Sequence, residues 1–268
     1  MSTIPYEPSL YAPERLAEVL PNPSAVDDAA VERYLADGYL AVASVFDADE
    51  VVAEVERVEA LAAGDMAQLD EGVNPTGPDA AASDRVRKLC VSPAESREVG
   101  MPVDHAGLMG VVQRLMGGRV PRLYQAMALL KPPRGGGEKP WHQDHAYFNV
   151  PVGQRIVGVW IALDAATVAN GCMQLLPGQH HDGPVVHFKR RDWQMCDTEV
   201  LGQASVAAEL EPGGALFFDS LLPHGTPMNT STERRRALQF HYAPVDAPDW
   251  TVEQRLAVFG SEGRDVEC

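Results

Sequence analysis

The chain has 268 residues, near the upper size for one hydrophobic core, and its 45% apolar and 22% charged residues are those of a packed globular protein. A formal charge of −16 opposes phosphate backbones and anionic bilayers, which argues against nucleic acid and membrane surfaces as partners. Four cysteines without a C-x-x-C pair speak against a zinc knuckle or a disulfide framework and fit a reducing cytoplasm, and neither an apolar run of about 18 residues nor a basic-then-apolar leader supports spanning or export.

Residues 1–26, rich in proline, read as an irregular arm over the body. Asp27 and Asp28 precede Val31, Tyr34 and Leu35, whose spacing predicts the buried stripe of a short helix ending near Gly38. Residues 39–46 read as a strand. Asp47 with Glu50 three residues later forms a capping pair for a helix whose Val51, Val52, Val55, Val58 and Leu61 share one face, with Gly64 as its stop. Residues 65–84 hold turn formers without periodicity and are expected to make a long exposed loop, of the kind that serves as a lid. Leu108, Val111, Val112, Leu115 and Met116 mark a further amphipathic helix closed by Gly117 and Gly118.

From residue 121 onward the pattern changes to short strands, RLYQAMALL, RIVGVWIAL, CMQLLP, GALFFD and RALQFHYAP, separated by Gly, Pro and Asn turns. Their spacing and content predict an antiparallel sandwich or small barrel, and helices followed by strands make the fold α+β. One domain is expected over residues 1–268: the arm to 26, helical support and loop over 27–118, a β core over 119–245 and a tail over 246–268.

His142 and Asp144 are two apart at what reads as a strand entrance, where alternate side chains share a face and can meet one ion. A lone H-x-D is weak evidence. His224, in the turn after GALFFD, supplies a third donor, and two imidazoles with one carboxylate make the facial triad of oxygen-activating iron(II) enzymes, with three positions left open. The competing reading of His224 is a turn cap. Arg235 follows by 11 residues, enough for a hairpin through NTSTE, and a strand from Arg235 places Arg235, Ala237, Gln239 and His241 on one face. A guanidinium inside an apolar barrel needs an anionic partner, and a dicarboxylate supplies one, although a surface arginine is the competing reading within the run 234–236.

The stretches MALLKPPRGGGEKPWHQDHAYFNVP, GVWIALDAATVANGCMQLLPGQH and HGTPMNTSTERRRAL, in this order, resemble the phytanoyl-CoA dioxygenase family over roughly residues 88–242. The resemblance implies a double-stranded β-helix (a jelly-roll, cupin-like barrel) with N-terminal helices packed on one sheet, using iron(II), 2-oxoglutarate and O2. It carries the metal ligands onto His142, Asp144 and His224, the cosubstrate arginine onto Arg235, and a small hydroxyl onto Thr226. Met127 and Trp160 fall at pocket-wall positions, which residues alone would leave as ordinary core. Lys88 resembles the lysine that reaches the cosubstrate from outside the barrel.

Several neighbours keep plainer readings. His145 adjoins Asp144, but successive strand side chains point oppositely, so it faces away or toward the pocket mouth. His180 and His181 read as structural, His187 and His241 have no assigned chemistry, and Cys172 reads as a small buried residue after the Asn170–Gly171 turn. By the resemblance, the enzyme is a dioxygenase that releases succinate and CO2 and hydroxylates a small molecule; an aspartate at 144, where related halogenases have a small residue, favours hydroxylation over halogenation. The substrate is not written in the motifs. Lys189, Arg190, Arg191 and Trp193, in an insert over 182–205, offer one place for a substrate carboxylate, with a solvated loop face as the plainer reading. The alternatives are a cupin-like hydrolase or isomerase using zinc or manganese, which needs no Arg235, and a ligand-binding barrel without catalysis.

Overall fold

A computed structural model describes residues 6–64 and 82–266. The expected loop at 65–84 lies outside them except at its end, where Ala82–Arg85 is a 3-10 turn with Ser83 and Asp84 buried. The arm is more ordered than its proline content predicts. It carries two short strands, β1 (Arg15–Leu16) and β2 (Val19–Leu20).

Helix α1 (Asp28–Asp37) starts at Asp27, whose carboxylate accepts the Ala30 N–H, and ends at Gly38 in the left-handed region at φ 83°. Its buried face is Ala30 and Tyr34, whereas Leu35 is 36% exposed, so the expected stripe is shifted by one residue. Strand β3 (Tyr39–Val42) stops four residues early, because the chain turns at Ser44, φ 50°. Helix α2 (Ala48–Ala63) has the expected capping box between Asp47 and Glu50 and ends at Gly64. Val52 on it is 56% exposed, and the face includes buried Glu54, which the Arg57 guanidinium neutralises at 3.1 Å.

Strand β4 (Lys88–Val91) and helix α3 (Pro93–Glu98) follow; the latter is opened by a second capping box, Ser92 with Glu95, that the sequence reading passed over. Helix α4 (Ala106–Leu115) buries Leu108, Val111, Val112 and Leu115 as expected. The strands then run β5 (Pro121–Lys131), β6 (Lys139–His142), β7 (Val157–Ala162), β8 (Met173–Leu175), β9 (Phe188–Lys189), β10 (Trp193–Gln194), β11 (Val206–Ala208), β12 (Ala215–Asp219), β13 (His224–Thr226) and β14 (Arg235–Pro244). The tail adds helix α5 (Val252–Phe259).

Among the described residues these strands form a seven-stranded sheet, β2-β3-β12-β7-β14-β5-β4, a five-stranded sheet, β1-β11-β8-β13-β6, and a β9-β10 ribbon. From β5 to β8, and again from β11 to β14, the chain passes back and forth between the two large sheets, which makes the architecture a double-stranded β-helix in an α+β fold. Period-two alternation fills both faces of the larger sheet. Val159, Ile161, Phe217, Leu238 and Phe240 belong to one core cluster with Val58 of α2 and Leu108 and Val111 of α4. Trp160, Ala162, Leu216, Phe218 and Ala237 cluster with Met173, Leu175 and Ala207 of the smaller sheet. Gly158 keeps that inner layer tight, since a Cβ there would lie 2.5 Å from the Phe218 ring. Among the described residues no helix is long and apolar enough to cross a membrane.

Candidate metal and cosubstrate site

His142 ends β6 and His224 begins β13, and the antiparallel register sets them directly opposite. Their ring centroids are 4.3 Å apart. Each imidazole is held by the same local device: Nδ1 donates to the carbonyl two residues earlier, Pro140 at 2.8 Å and Leu222 at 2.9 Å. A carbonyl only accepts, so each Nδ1 carries the proton and each Nε2 presents a lone pair. Asp144 joins them with Oδ1 3.1 Å from His142 Nε2 and Oδ2 3.4 Å from His224 Nε2. It does so from a 3-10 turn, Asp144–Tyr147, so turn geometry, not the strand alternation expected from sequence, brings it round. One donor atom from each residue lies within 4.8 Å of the others, and all three side chains are buried.

Burial alone would raise the Asp144 carboxyl, but His224, His241 and His142 overcome it and hold the group well below the usual carboxylate range. Burial, reinforced by His224 and Lys139, pushes His142 down to about 4. At neutral pH His142 is therefore a neutral imidazole beside an ionised Asp144, and the tautomer of His224 set by the Leu222 carbonyl turns its Nε2 to the same point. This donor set suits a divalent first-row ion with open positions.

The larger sheet faces this triad with alternate residues of β14. Gln239 Nε2 donates to Asp144 Oδ2 at 3.1 Å and His241 Nε2 to the same oxygen at 2.7 Å. A carboxylate oxygen only accepts, so His241 carries its proton on Nε2. These two contacts turn Oδ2 toward the sheet and leave Oδ1 the less encumbered oxygen. Sequence reasoning placed both residues on the correct face but assigned them no chemistry; their even spacing from Arg235 was the available signal.

Arg235 is 2% exposed, its Nε and Nη1 have no hydrogen-bond partner among the described residues, and its guanidinium carbon lies 5.3 Å from the Trp160 ring centroid. Burial lowers its pKa to about 10, so it remains a cation at neutral pH. An unpartnered buried guanidinium is costly unless an anion completes it. Met127, Gln239 and Trp160 form one row across β5, β14 and β7. Met127, Trp160, Thr226, Lys88 and Arg235 all line one cavity of about 140 Å³ with the three metal-ligand candidates. Lys131, beside Arg235 in the register, lines it too, but its ammonium is taken up by the carbonyls of Gly137, Thr226 and Pro227.

The other histidines are structural here. His145 is fully buried between Ser220 Oγ and the Val150 carbonyl and does not line the cavity. His187 Nε2 accepts the Gln143 N–H, and His180 Nε2 donates to the Leu35 carbonyl. Cys172 is buried and its thiol pushed up to about 12 by burial. It follows Gly171, whose φ of 84° and 2.6 Å clearance from the Pro227 carbonyl require a glycine. In the insert, Arg191 is bound to Glu138 and Asp197, Arg190 is 61% exposed with contacts to Glu262 and Lys189, and Trp193 is buried, which agrees with the plainer reading of a solvated loop face at Arg190.

The profile of the family described as phytanoyl-CoA dioxygenase (PhyH) matches residues 34–237. Phytanoyl-CoA dioxygenase domain-containing protein 1 of Danio rerio is 32% identical over 145 residues, covering 51% of this chain and 50% of that protein. The matched stretch thus spans about half the length of such curated relatives. Among solved structures, EvdO2 from Micromonospora carbonacea var. aurantiaca is similar at TM-score 0.66 and 26% identity, covering 88% of this chain and 97% of that one. EctD from S. alaskensis, solved with 2-oxoglutarate and 5-hydroxyectoine, is similar at TM-score 0.67 and 25% identity, covering 90% and 81%.

Proposed function

This chain belongs to the phytanoyl-CoA dioxygenase family, and on that premise we propose that it is a mononuclear non-haem iron(II), 2-oxoglutarate-dependent dioxygenase that hydroxylates a small molecule. The observation that carries the reading is the pairing, across one cavity, of the His142, Asp144 and His224 donors with a buried guanidinium whose Nε and Nη1 have no partner among the described residues. His142, Asp144 and His224 would hold the iron, and Arg235 would take the far carboxylate of 2-oxoglutarate as a paired, charge-assisted contact. Bound together, iron(II), 2-oxoglutarate and O2 supply oxidative decarboxylation to succinate and CO2 coupled to removal of a substrate hydrogen.

The chain's own residues set the terms of that chemistry. Gln239 and His241 orient Asp144, and the i−2 carbonyls fix the tautomers of both imidazoles. Trp160 lies against the Arg235 guanidinium and Met127 closes the same wall, which keeps water from the anchor. Thr226 and Lys88 lie within reach of a cosubstrate from β13 and β4. We further take the chain to act as a single domain in the reducing cytoplasm, which suits four cysteines scattered along the sequence, and its substrate to be a small molecule, since a charge of −16 disfavours nucleic acid.

A zinc or manganese hydrolase could use the same three ligands but has no need of an orphaned guanidinium. Anaerobic addition of iron(II) and then 2-oxoglutarate separates the two. A visible charge-transfer absorption appearing only with both, followed by succinate release on admitting O2, is expected; tight zinc binding with no such band would refute the oxygenase.

A further inference from the structure

Three half-buried charged groups stand on the solvent side of the same cavity. Asp192 Oδ2 receives both Lys139 Nζ and Arg87 Nη2, each at 2.9 Å, and Asp192 Oδ1 accepts the Trp193 N–H. Lys139 also donates to the Tyr147 hydroxyl at 2.8 Å, and that hydroxyl donates onward to the Trp193 carbonyl. The side chains of Lys139, Arg87 and Asp192 are 29%, 33% and 25% exposed, against 8% or less for the ligand carboxylate and imidazoles, so a molecule in the cavity can reach them.

Charge is distributed unevenly across this wall. Behind it, Arg191 is shared between Glu138 and Asp197, one cation with two carboxylates, and none of these three lines the cavity. On the cavity side, among the described residues, the ratio is reversed: Lys139 and Arg87 share one carboxylate oxygen, that of Asp192. The floor does not use up this excess. A divalent ion with Asp144 and a dicarboxylate with Arg235 sum to zero, so among the described residues the one positive charge by which Lys139 and Arg87 exceed Asp192 stays available in a chain whose net charge is −16.

We infer that Lys139 and Arg87 form a subsite for an anionic group of the primary substrate, a single carboxylate, which they hold over the metal. The link to the reaction centre is direct in the chain: Lys139 lies three residues before His142 and Tyr147 three after Asp144, with the Tyr147 ring edge-on to His142 at 5.9 Å. The inference rests on the oxygenase reading for its orientation and names the class of molecule that reading left open. It assigns the substrate anion to residues that line the cavity, which Arg190 and Arg191 do not.

The probes are 4-fluorobenzoate and its neutral isostere 4-fluorobenzamide, titrated by fluorine NMR into anaerobic protein loaded with iron(II) and 2-oxoglutarate. The benzoate is expected to bind at least about tenfold tighter than the amide, the worth of one charge-assisted contact. Lys139→Met should lower benzoate affinity about tenfold and leave amide affinity unchanged, with Lys139→Arg restoring most of the loss and Arg190→Ala changing nothing. The iron and 2-oxoglutarate absorption must persist throughout, which shows that the probe has displaced neither. Equal affinities for the two probes, no benzoate binding at millimolar concentration, or a Lys139→Met protein that binds benzoate normally would each overturn the subsite while leaving the oxygenase intact. Absence of the absorption band before any probe is added would instead strike at the oxygenase reading; the same titration in Arg235→Leu protein, which lacks the floor's own anion receptor, then still decides the subsite.

Discussion

The two large sheets contribute to the site in different ways. On the smaller sheet, His142 and His224 are held by contacts within their own segments, each Nδ1 on the carbonyl two residues earlier. On the larger one, Arg235, Gln239 and His241 get their places from the register of β14 between β5 and β7. One wall is preorganised by short-range backbone contacts, the other by long-range strand pairing. The ligand wall should therefore be sensitive to side-chain chemistry and the anchor wall to register as well.

The largest effect expected is on the ligand wall. Asp144→Ala should weaken iron(II) or cobalt(II) binding by about 1,000-fold, beyond the roughly 10–100-fold usual for outer partners, as read by anaerobic titration. Retained stoichiometric binding would place the ion elsewhere. On the anchor wall, Arg235→Leu should raise the dissociation constant for 2-oxoglutarate by about 100-fold, with metal affinity changed little, because a buried charge pair loses one member. Equal loss of both would mean that the walls are not separable.

Between the walls, His241→Phe keeps a ring against Phe148 and Phe218 but removes the donor to Asp144. Metal affinity should fall by about 10-fold, and the d–d spectrum of the cobalt(II) protein should change, which a purely structural role would not produce. A smaller effect belongs to the imidazole beside the ligand wall. His187 is pushed down to about 3 by burial, so it stays neutral in the fold while the unfolded ring gains a proton below about 6.5. Protons then favour the unfolded chain, and stability falls as pH falls, by about 2 kcal/mol between pH 6.5 and 5 for this group. Urea unfolding of metal-free protein at both pH values checks this, and His187→Gln should lack that share. Smallest of all, Val52→Ala on the exposed side of α2 should lie within about 0.5 kcal/mol of wild type, whereas Val58→Ala beneath it costs about 2 kcal/mol.

What could be read in the chain beforehand follows the same division. The capping box at Asp47, the glycine stops and the period-two runs act over a few residues, so α1, α2, α4 and the β core were legible. The triad was legible because a resemblance tied three distant segments together, and geometry then brought the donors within reach of one another. The role of His241 was not, since only pairing of β14 with its neighbours turns it onto Asp144. Nor was the contact of Arg87 with Asp192, 105 residues apart. The exposure of Val52 and burial of Glu54 went against hydrophobic pattern because Arg57, one turn on, neutralises the glutamate. Two-residue strands such as β1 and β2 have no periodicity to detect.

Those two strands have a mechanical consequence. β1 joins the outer edge of the smaller sheet beside β11, and β2, three residues later, joins the corresponding edge of the larger sheet beside β3, both in parallel. The leading segment thus stitches the sandwich together along one side by backbone pairing, while at the opposite margin, that of β6 and β4, Lys139 and Arg87 are joined through the Asp192 carboxylate beside the cavity. One side of the sandwich is thus closed by main-chain hydrogen bonds and the other by side-chain charges, so salt should loosen only the margin that borders the cavity.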